Sequence, residues 1–258
     1  MSSLLRPKSV ALVGATEREG SVGRALLSNL ASGFQGKIFP VNLKSPSVLG
    51  IKAYPSVSEI PEPVDLVVLA IPAVGIPEAL EASAKKGTRA ALVISAGFRE
   101  TGEAGRLAEE TLIATAAQYD IALVGPNCLG IINTDPDVNL NATFAKRIPR
   151  RGNISFLSQS GALGICALEF AASREIGFAH FVSLGNKAVL HENHFLKAFA
   201  EDPKTRVILA YLEDFHAPGE FLELAAGIAG GADPKPIVLL KAGRGKSGRR
   251  AASSHTGA

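Results

Sequence analysis

Short apolar runs alternate along this chain with glycine-rich polar turns and with stretches of helical period. Ser9–Val13, Lys37–Val41, Val64–Ile71, Ala90–Ile94 and Ile121–Val124 are mostly apolar, the pattern of strands buried on both faces of a parallel sheet. Between them, Val22–Leu30, Ile76–Lys86 and Gly102–Tyr119 are predicted helices. A second series follows the same rhythm. Its strands are Ile154–Leu157, Phe178–Leu184, Val207–Leu212 and Pro236–Lys241, and its helices Ala162–Glu175, Glu192–Ala200 and Gly219–Ala229. Strand–helix alternation implies an α/β fold of parallel sheets with right-handed crossovers. The stretch Thr134–Gly152 breaks the rhythm with Asp, Asn, Pro and the basic residues Lys146, Arg147, Arg150 and Arg151. The predicted organisation is therefore a first domain over 1–133, a connecting segment over 134–152 and a second domain over 153–258, the last expected to be incomplete at its C-terminus.

Composition narrows the class. The 258 residues are 47% apolar and only 6% aromatic, with no tryptophan, which suits two tightly packed α/β cores and excludes a disordered or fibrous chain. A net charge of +3 is too small to argue for nucleic acid and fits an anionic small ligand better. Two cysteines, Cys128 and Cys166, make no disulfide framework. No apolar signal or membrane-length run is evident, so a cytoplasmic protein with no membrane partner is expected.

The candidate chemistry lies in the turns. Gly14–Gly23 joins the first strand to the first helix, where a doubly wound sheet receives phosphates on glycine backbone and helical N–H groups. Gly14, Thr16, Ser21, Val22 and Gly23 are its candidate binding residues; the alternative is an ordinary tight turn. Its spacing is longer than the dinucleotide fingerprint. At the end of the second strand Asn42 and Lys44 stand where an acid would hold an adenosine ribose, and Lys44 suits a phosphate. Ile71-Pro72, Ser95-Ala96-Gly97 and Asn127-Cys128 leave the carboxyl ends of later strands and should rim the same crevice. Cys128 reads either as a small buried hydrophobe or as a wall of the reaction site; with no base near in sequence it is not a nucleophile candidate.

In the second domain, Ser158-Gln159-Ser160-Gly161 repeats the strand–turn–helix arrangement and could receive phosphate or an acyl group, or simply cap a helix. Glu213 ends an apolar strand; it is either a solvated acid or a carboxylate able to hold one nitrogen of a histidine. His191 and His194 read better as surface histidines than as ligands, and no metal site is expected. Near the end, His255 sits among Ser253, Ser254, Thr256 and Gly257 after a basic, glycine-rich run. Such a histidine can act as a nucleophile at neutral pH.

These segments together resemble the nucleoside-diphosphate-forming acyl-CoA synthetases, the superfamily that includes the succinyl-CoA synthetase α subunit. The residues that carry the resemblance are Leu5–Ala15, Val41–Lys44, Ser95–Phe98, Gly125–Gly130, Ser158–Gly161, Ser183–Lys187, Tyr211–Glu213 and Ser253–Gly257. They run in order over nearly the whole chain, and the ADP-forming, acetate-type branch is the more similar one. The resemblance implies a Rossmann-like, CoA-binding domain followed by a flavodoxin-like ligase domain. It implies that acyl-CoA, ADP and phosphate interconvert with carboxylic acid, CoA and ATP. In that reading His255 is the phosphorylated histidine, Glu213 its carboxylate partner, and Ser158–Gly161 the anion site. ATP/ADP and Mg would belong to an ATP-grasp domain or β subunit outside these residues, in an oligomer. One departure stands out: the family's aspartates after Gly-Asn-Lys are replaced by Val189, His191 and His194. A non-catalytic CoA-binding or regulatory module is the competing reading. A nicotinamide-dependent oxidoreductase is disfavoured by the missing ribose-binding acid.

Overall fold

The computed structural model describes residues 1–243. Helix α1 (Ser2–Leu5) leads into strand β1 (Ser9–Val13), helix α2 (Val22–Ala31) and strand β2 (Lys37–Val41). A small hairpin, β3 (Ser47–Val48) with β4 (Ile51–Lys52), precedes β5 (Leu66–Leu69), α3 (Ile76–Lys85), β6 (Ala90–Val93), α4 (Glu103–Gln118) and β7 (Ala122–Val124). The first sheet runs β2-β1-β5-β6-β7 and is parallel throughout. The chain moves outward from β1 to β2, then returns to the other side of β1. The carboxyl ends of β1 and β5 thus flank the point where strand order reverses, the usual ligand crevice of such sheets.

Both faces of this sheet are buried, which accounts for the near-continuous apolar strands. Ala11, Val13, Val67, Leu69, Ala91 and Val93 pack against Leu80 and Leu112 of α3 and α4. The alternate positions Val10, Leu12, Leu66 and Val68 join Leu26, Leu27 and Leu30 of α2. Each such leucine, taken out of water, contributes about 1.5–3 kcal/mol.

The second sheet holds the main departure from the sequence reading. After β8 (Gly130–Asn133) and β9 (Leu140–Thr143) come β10 (Arg151–Ser158), α5 (Gly161–Ser173), β11 (Phe178–Ser183), α6 (Glu192–Glu201), β12 (Val207–Leu212), α7 (Pro218–Gly230) and β13 (Ile237–Lys241). Sheet order is β13-β12-β10-β11-β8-β9. The strands from β10 to β13 are parallel, but β8 runs antiparallel to β11 and β9 antiparallel to β8. The expectation of two parallel sheets is therefore corrected: the second is mixed. The segment expected only to connect the domains carries β9, and β8 lies before it in sequence yet belongs to the second sheet. A two-strand hairpin needs no crossover helix, so it leaves none of the strand–helix signal on which the sequence reading relied.

This hairpin stitches the molecule together. One apolar cluster runs from Leu12 and Leu26 through Cys128, Ile131 and Leu140 to Leu157, Val182 and Leu212. Asn29 of α2 donates its side-chain amide to the carbonyls of Thr143 (2.7 Å) and Ala145 (3.0 Å). Buried Asp135 takes ion pairs from both Arg6 and Lys204. Burial opposes its charge, yet these hydrogen bonds hold its carboxyl well below the usual range. No helix among the described residues is long and apolar enough to cross a membrane.

Candidate active site

Two openings receive the turns. The smaller, about 530 Å³, is lined by Gly14, Thr16, Asn42, Lys44, Ser56 and Ile71, among others. Gly14 has φ +96°, and a Cβ there would stand 2.3 Å from the Ala70 carbonyl oxygen. At Gly23 a Cβ would stand 2.0 Å from the Gly14 oxygen. Only glycine allows this approach between β1, β5 and the first turn of α2. Ser21 caps that helix, its hydroxyl accepting from the Arg24 N–H at 3.3 Å. Asn42 pins the neighbouring turn, donating to the Ala15 carbonyl at 2.8 Å and accepting from the N–H groups of Lys44 and Ser45, both at 2.9 Å. Lys44 is exposed at the rim.

The larger cleft, about 640 Å³, lies where the two domains meet. The first domain contributes Val22, Ile71, Pro72, Ser95, Ala96, Asn127 and Cys128; the second contributes Gln159, Gly161, Ala162 and Ile165, with Leu129, Phe144 and Asn186. Ile71 lines both openings. Hydrogen bonds tie the loops together. The Ser95 hydroxyl donates to the Ile71 carbonyl (2.6 Å), the Asn127 N–H to that of Ser95 (2.9 Å), and the Leu129 N–H to the Ser183 hydroxyl (3.0 Å). Cys128 is buried, its thiol donating to the Val93 carbonyl at 3.3 Å. Burial pushes the thiol up to about 12, so it stays protonated and a poor nucleophile at neutral pH.

Not every expected residue reaches an opening. Gly97 (φ +107°) turns its N–H to Glu100 at 2.6 Å and lines neither opening; Gly23 and Ser21 support the first turn from below. Ser158 is fully buried and its hydroxyl donates to the Ser160 carbonyl at 2.7 Å. Ser158, expected to contact an anion, thus has its one hydroxyl proton committed inside the fold. Ser160 caps α5, accepting from the Leu163 N–H, as the capping alternative foresaw. Glu213 stands half-buried just beyond the end of β12, its N–H donating to Gln159 Oε1 at 2.9 Å. Burial first, then the adjacent Glu213 carboxylate, push the Tyr211 phenol up. His255 lies outside the described residues.

The sequence reading gave Asn186 and Lys187 no role, yet they occupy the wall between the domains. Asn186 is buried and donates to Glu100 (2.7 Å) and Glu109 (2.8 Å) of the first domain, while its carbonyl accepts from Arg99. Lys187, also buried, pairs with Glu192 (3.0 Å) and with Asp214. Burial works against the Asp214 charge, but the Lys187 hydrogen bond keeps its carboxyl low. A polar pair directly after a strand-end glycine was the available signal. Ile165 offered none, since α5 is apolar nearly all round, and Phe144 follows β9, a strand the sequence reading did not see.

The histidines also depart from expectation. His191 is buried rather than on the surface, its ring stacked on His216 (centroids 4.1 Å apart) and edge-on to His194 (4.0 Å). Burial, then the neighbouring imidazoles, push His191 down to about 4. No group of side chains among the described residues is arranged to hold a metal ion.

The comparisons with known proteins agree with this architecture. Residues 8–134 match the family model of a CoA binding domain, and residues 151–258 that of the succinyl-CoA ligase like flavodoxin domain. The chain is 46% identical over 257 residues to acetate–CoA ligase [ADP-forming] I of Archaeoglobus fulgidus, covering all of this chain and 37% of that protein. It is 40% identical to the α subunit of acetate–CoA ligase [ADP-forming] I of Pyrococcus furiosus, covering 100% of this chain and 56% of the subunit. Among solved structures, the dinucleotide forming acetyl-coenzyme A synthetase 1 of Ca. Korarchaeum cryptofilum, in complex with phosphate and ADP, superimposes with a TM-score of 0.91 at 38% identity. That match covers 100% of this chain and 55% of the other. A CoA-binding domain followed by a ligase-type flavodoxin domain is thus the class of protein described here. The chain belongs to the nucleoside-diphosphate-forming acyl-CoA synthetases. It spans 37% to 56% of the length of these two curated relatives.

Proposed function

We propose that this chain supplies the CoA-binding and phosphohistidine parts of an ADP-forming acid–CoA ligase. The overall reaction converts acyl-CoA, ADP and phosphate to carboxylic acid, CoA and ATP, through an acyl phosphate and a phosphohistidine. One observation carries the reading: a single cleft is lined by the strand-end loops of the CoA-binding domain and by the start of α5 in the ligase domain.

The residues fit a phosphate-bearing cofactor. The Gly14–Gly23 turn has the close backbone approach that a Cβ would fill, and the first turn of α2 offers N–H groups and a favourable dipole to an anion. Lys44 at the rim supplies a charge for a phosphate. Ile71, Pro72, Ser95, Ala96, Asn127 and Cys128 would shape the path from there toward the second domain, with Gly97 holding the turn behind Ala96. When bound, CoA supplies the thiol that carries the acyl group.

On the other wall, Ser160 and Gly161 open α5, whose N-terminal N–H groups suit the charge of a phosphoryl or carboxylate group. In this reading Glu213 would accept the N–H of one nitrogen of His255, which would keep the other nitrogen unprotonated for attack on phosphorus and stabilise the cation that forms. A small carboxylic acid and phosphate are the remaining substrates. Delivery to ADP requires an ATP-grasp domain or β subunit with its Mg, and we place the assembly, an oligomer, in the cytoplasm.

The test uses the complete enzyme and γ-labelled ATP. Acid-labile, base-stable label should appear on His255, vanish in His255→Ala, and fall in a folded Glu213→Gln. Full ligase activity in folded His255→Ala would overturn the mechanism.

A further inference from the structure

The peptide groups at the end of β12 are held in an unusual way. Gln159 Oε1 accepts the N–H of Glu213 (2.9 Å) and of Asp214 (3.2 Å), using both lone pairs of one oxygen. The carbonyl of Glu213 accepts from Lys241 Nζ, and that of Asp214 from Lys187 Nζ at 3.2 Å. All four backbone polar groups of the pair are thus satisfied by side chains, and these come from three places. Gln159 follows β10, Lys187 lies in the turn after β11, and Lys241 ends β13. The fixing side chains are themselves fixed. Gln159 Nε2 donates to Asp214 Oδ1 at 3.0 Å, and Lys187 is buried against Glu192, whose other oxygen takes the His216 N–H at 2.6 Å.

We infer that Gln159, Lys187 and Lys241 form a clamp that positions Glu213, and that Gln159 is a strut rather than a ligand of the phosphate or acyl group. The inference rests on the proposed role of Glu213. A strand ordinarily leaves its last peptide groups to water, and a carboxylate on such an end samples many directions. Here the two peptides beyond the strand are locked, so the direction in which the Glu213 side chain leaves the backbone is set before any histidine arrives. Preorganisation of this kind is what a group that must orient a reactant needs. It gives Gln159 a role different from the anion contact that the sequence reading assigned to it.

The test is a double-mutant cycle in the complete enzyme with two independent readouts. Gln159→Ala should lower kcat by roughly 10–100-fold, as misplacement of a reacting group does. KM for phosphate and for the acid should change by less than about twofold, because no substrate contact is lost. In a Glu213→Gln background the same substitution should cost little more, since both act through one group. Lys241→Met should reduce kcat in the same way and Lys241→Arg should restore it. Hydrogen exchange supplies a readout that needs no turnover. The Glu213 and Asp214 amides should exchange at least about tenfold faster in Gln159→Ala, with Leu209 to Tyr211 unchanged.

A raised KM for phosphate or acid at unchanged kcat would make Gln159 a ligand and overturn the clamp. Full additivity with an impaired Glu213→Gln would overturn the clamp alone. A fully active Glu213→Gln would overturn the clamp together with the proposed role of Glu213.

Discussion

The two strand–turn–helix junctions, Gly14–Gly23 in the first domain and Ser158–Gly161 in the second, look alike in sequence and are built on different principles. The first is made by removal of side chains. Gly14 and Gly23 leave no room for a Cβ, so backbone packs on backbone, and Gly14 lines the smaller opening. The second is made by addition of side chains. Ser158 and Gln159 turn their polar atoms inward, Ser160 caps the helix, and only Gly161 and one edge of Gln159 face the cleft. A Cβ at Gly161 would meet nothing closer than 3.9 Å. The same glycine letter is thus a steric necessity in one turn and a tolerated choice in the other. A backbone-built turn suits a cofactor phosphate; a side-chain-built turn suits chemistry that must be held in register with Glu213.

The comparison can be broken by substitution. Gly23→Ala should destabilise the protein by about 1–3 kcal/mol, the usual cost of overpacking, as read from denaturant unfolding. Gly161→Ala should stay within about 0.5 kcal/mol, as surface changes do. Equal losses at both sites would erase the distinction. Ser160→Ala should cost about 1 kcal/mol through the lost cap, with Ser21→Ala similar.

A pH-dependent effect belongs to the second domain. His191 is held neutral in the fold, well below its ordinary value near 6.5. The unfolded chain therefore takes up its proton first, so stability is intact above about pH 6.5 and falls as pH drops toward 4. His191→Asn should flatten that fall by about 1–2 kcal/mol, measured as unfolding free energy against pH. An unchanged pH profile would show that another group sets it.

Much of the fold was legible because buried parallel strands write themselves as apolar runs: β1, β2 and β12 begin and end where the sequence predicts. The β8–β9 hairpin was not, since Gly130–Asn133 and Leu140–Thr143 mix Asn and Thr with apolar residues, and the strand that holds β8 in the sheet, with His180 opposite Asn133, lies far along the chain. The site divides the same way. Loops that owe their place to strand ends, such as Ile71-Pro72 and Asn127-Cys128, were found by position. The Gln159 strut and the Lys187–Asp214 contact join residues 27 to 55 positions apart, and no local pattern names such partners. The stacked His191 and His216 were missed for the same reason.

The most direct measurement of the central claim is a calorimetric titration of this chain with CoA, dephospho-CoA and NAD, repeated with Lys44→Ala. The glycine-built turn with lysine at its rim predicts that CoA binds more tightly than NAD. Lys44→Ala should weaken CoA by about 1–3 kcal/mol, the worth of a hydrogen bond to a charged group. Tighter binding of NAD than of CoA would contradict the account.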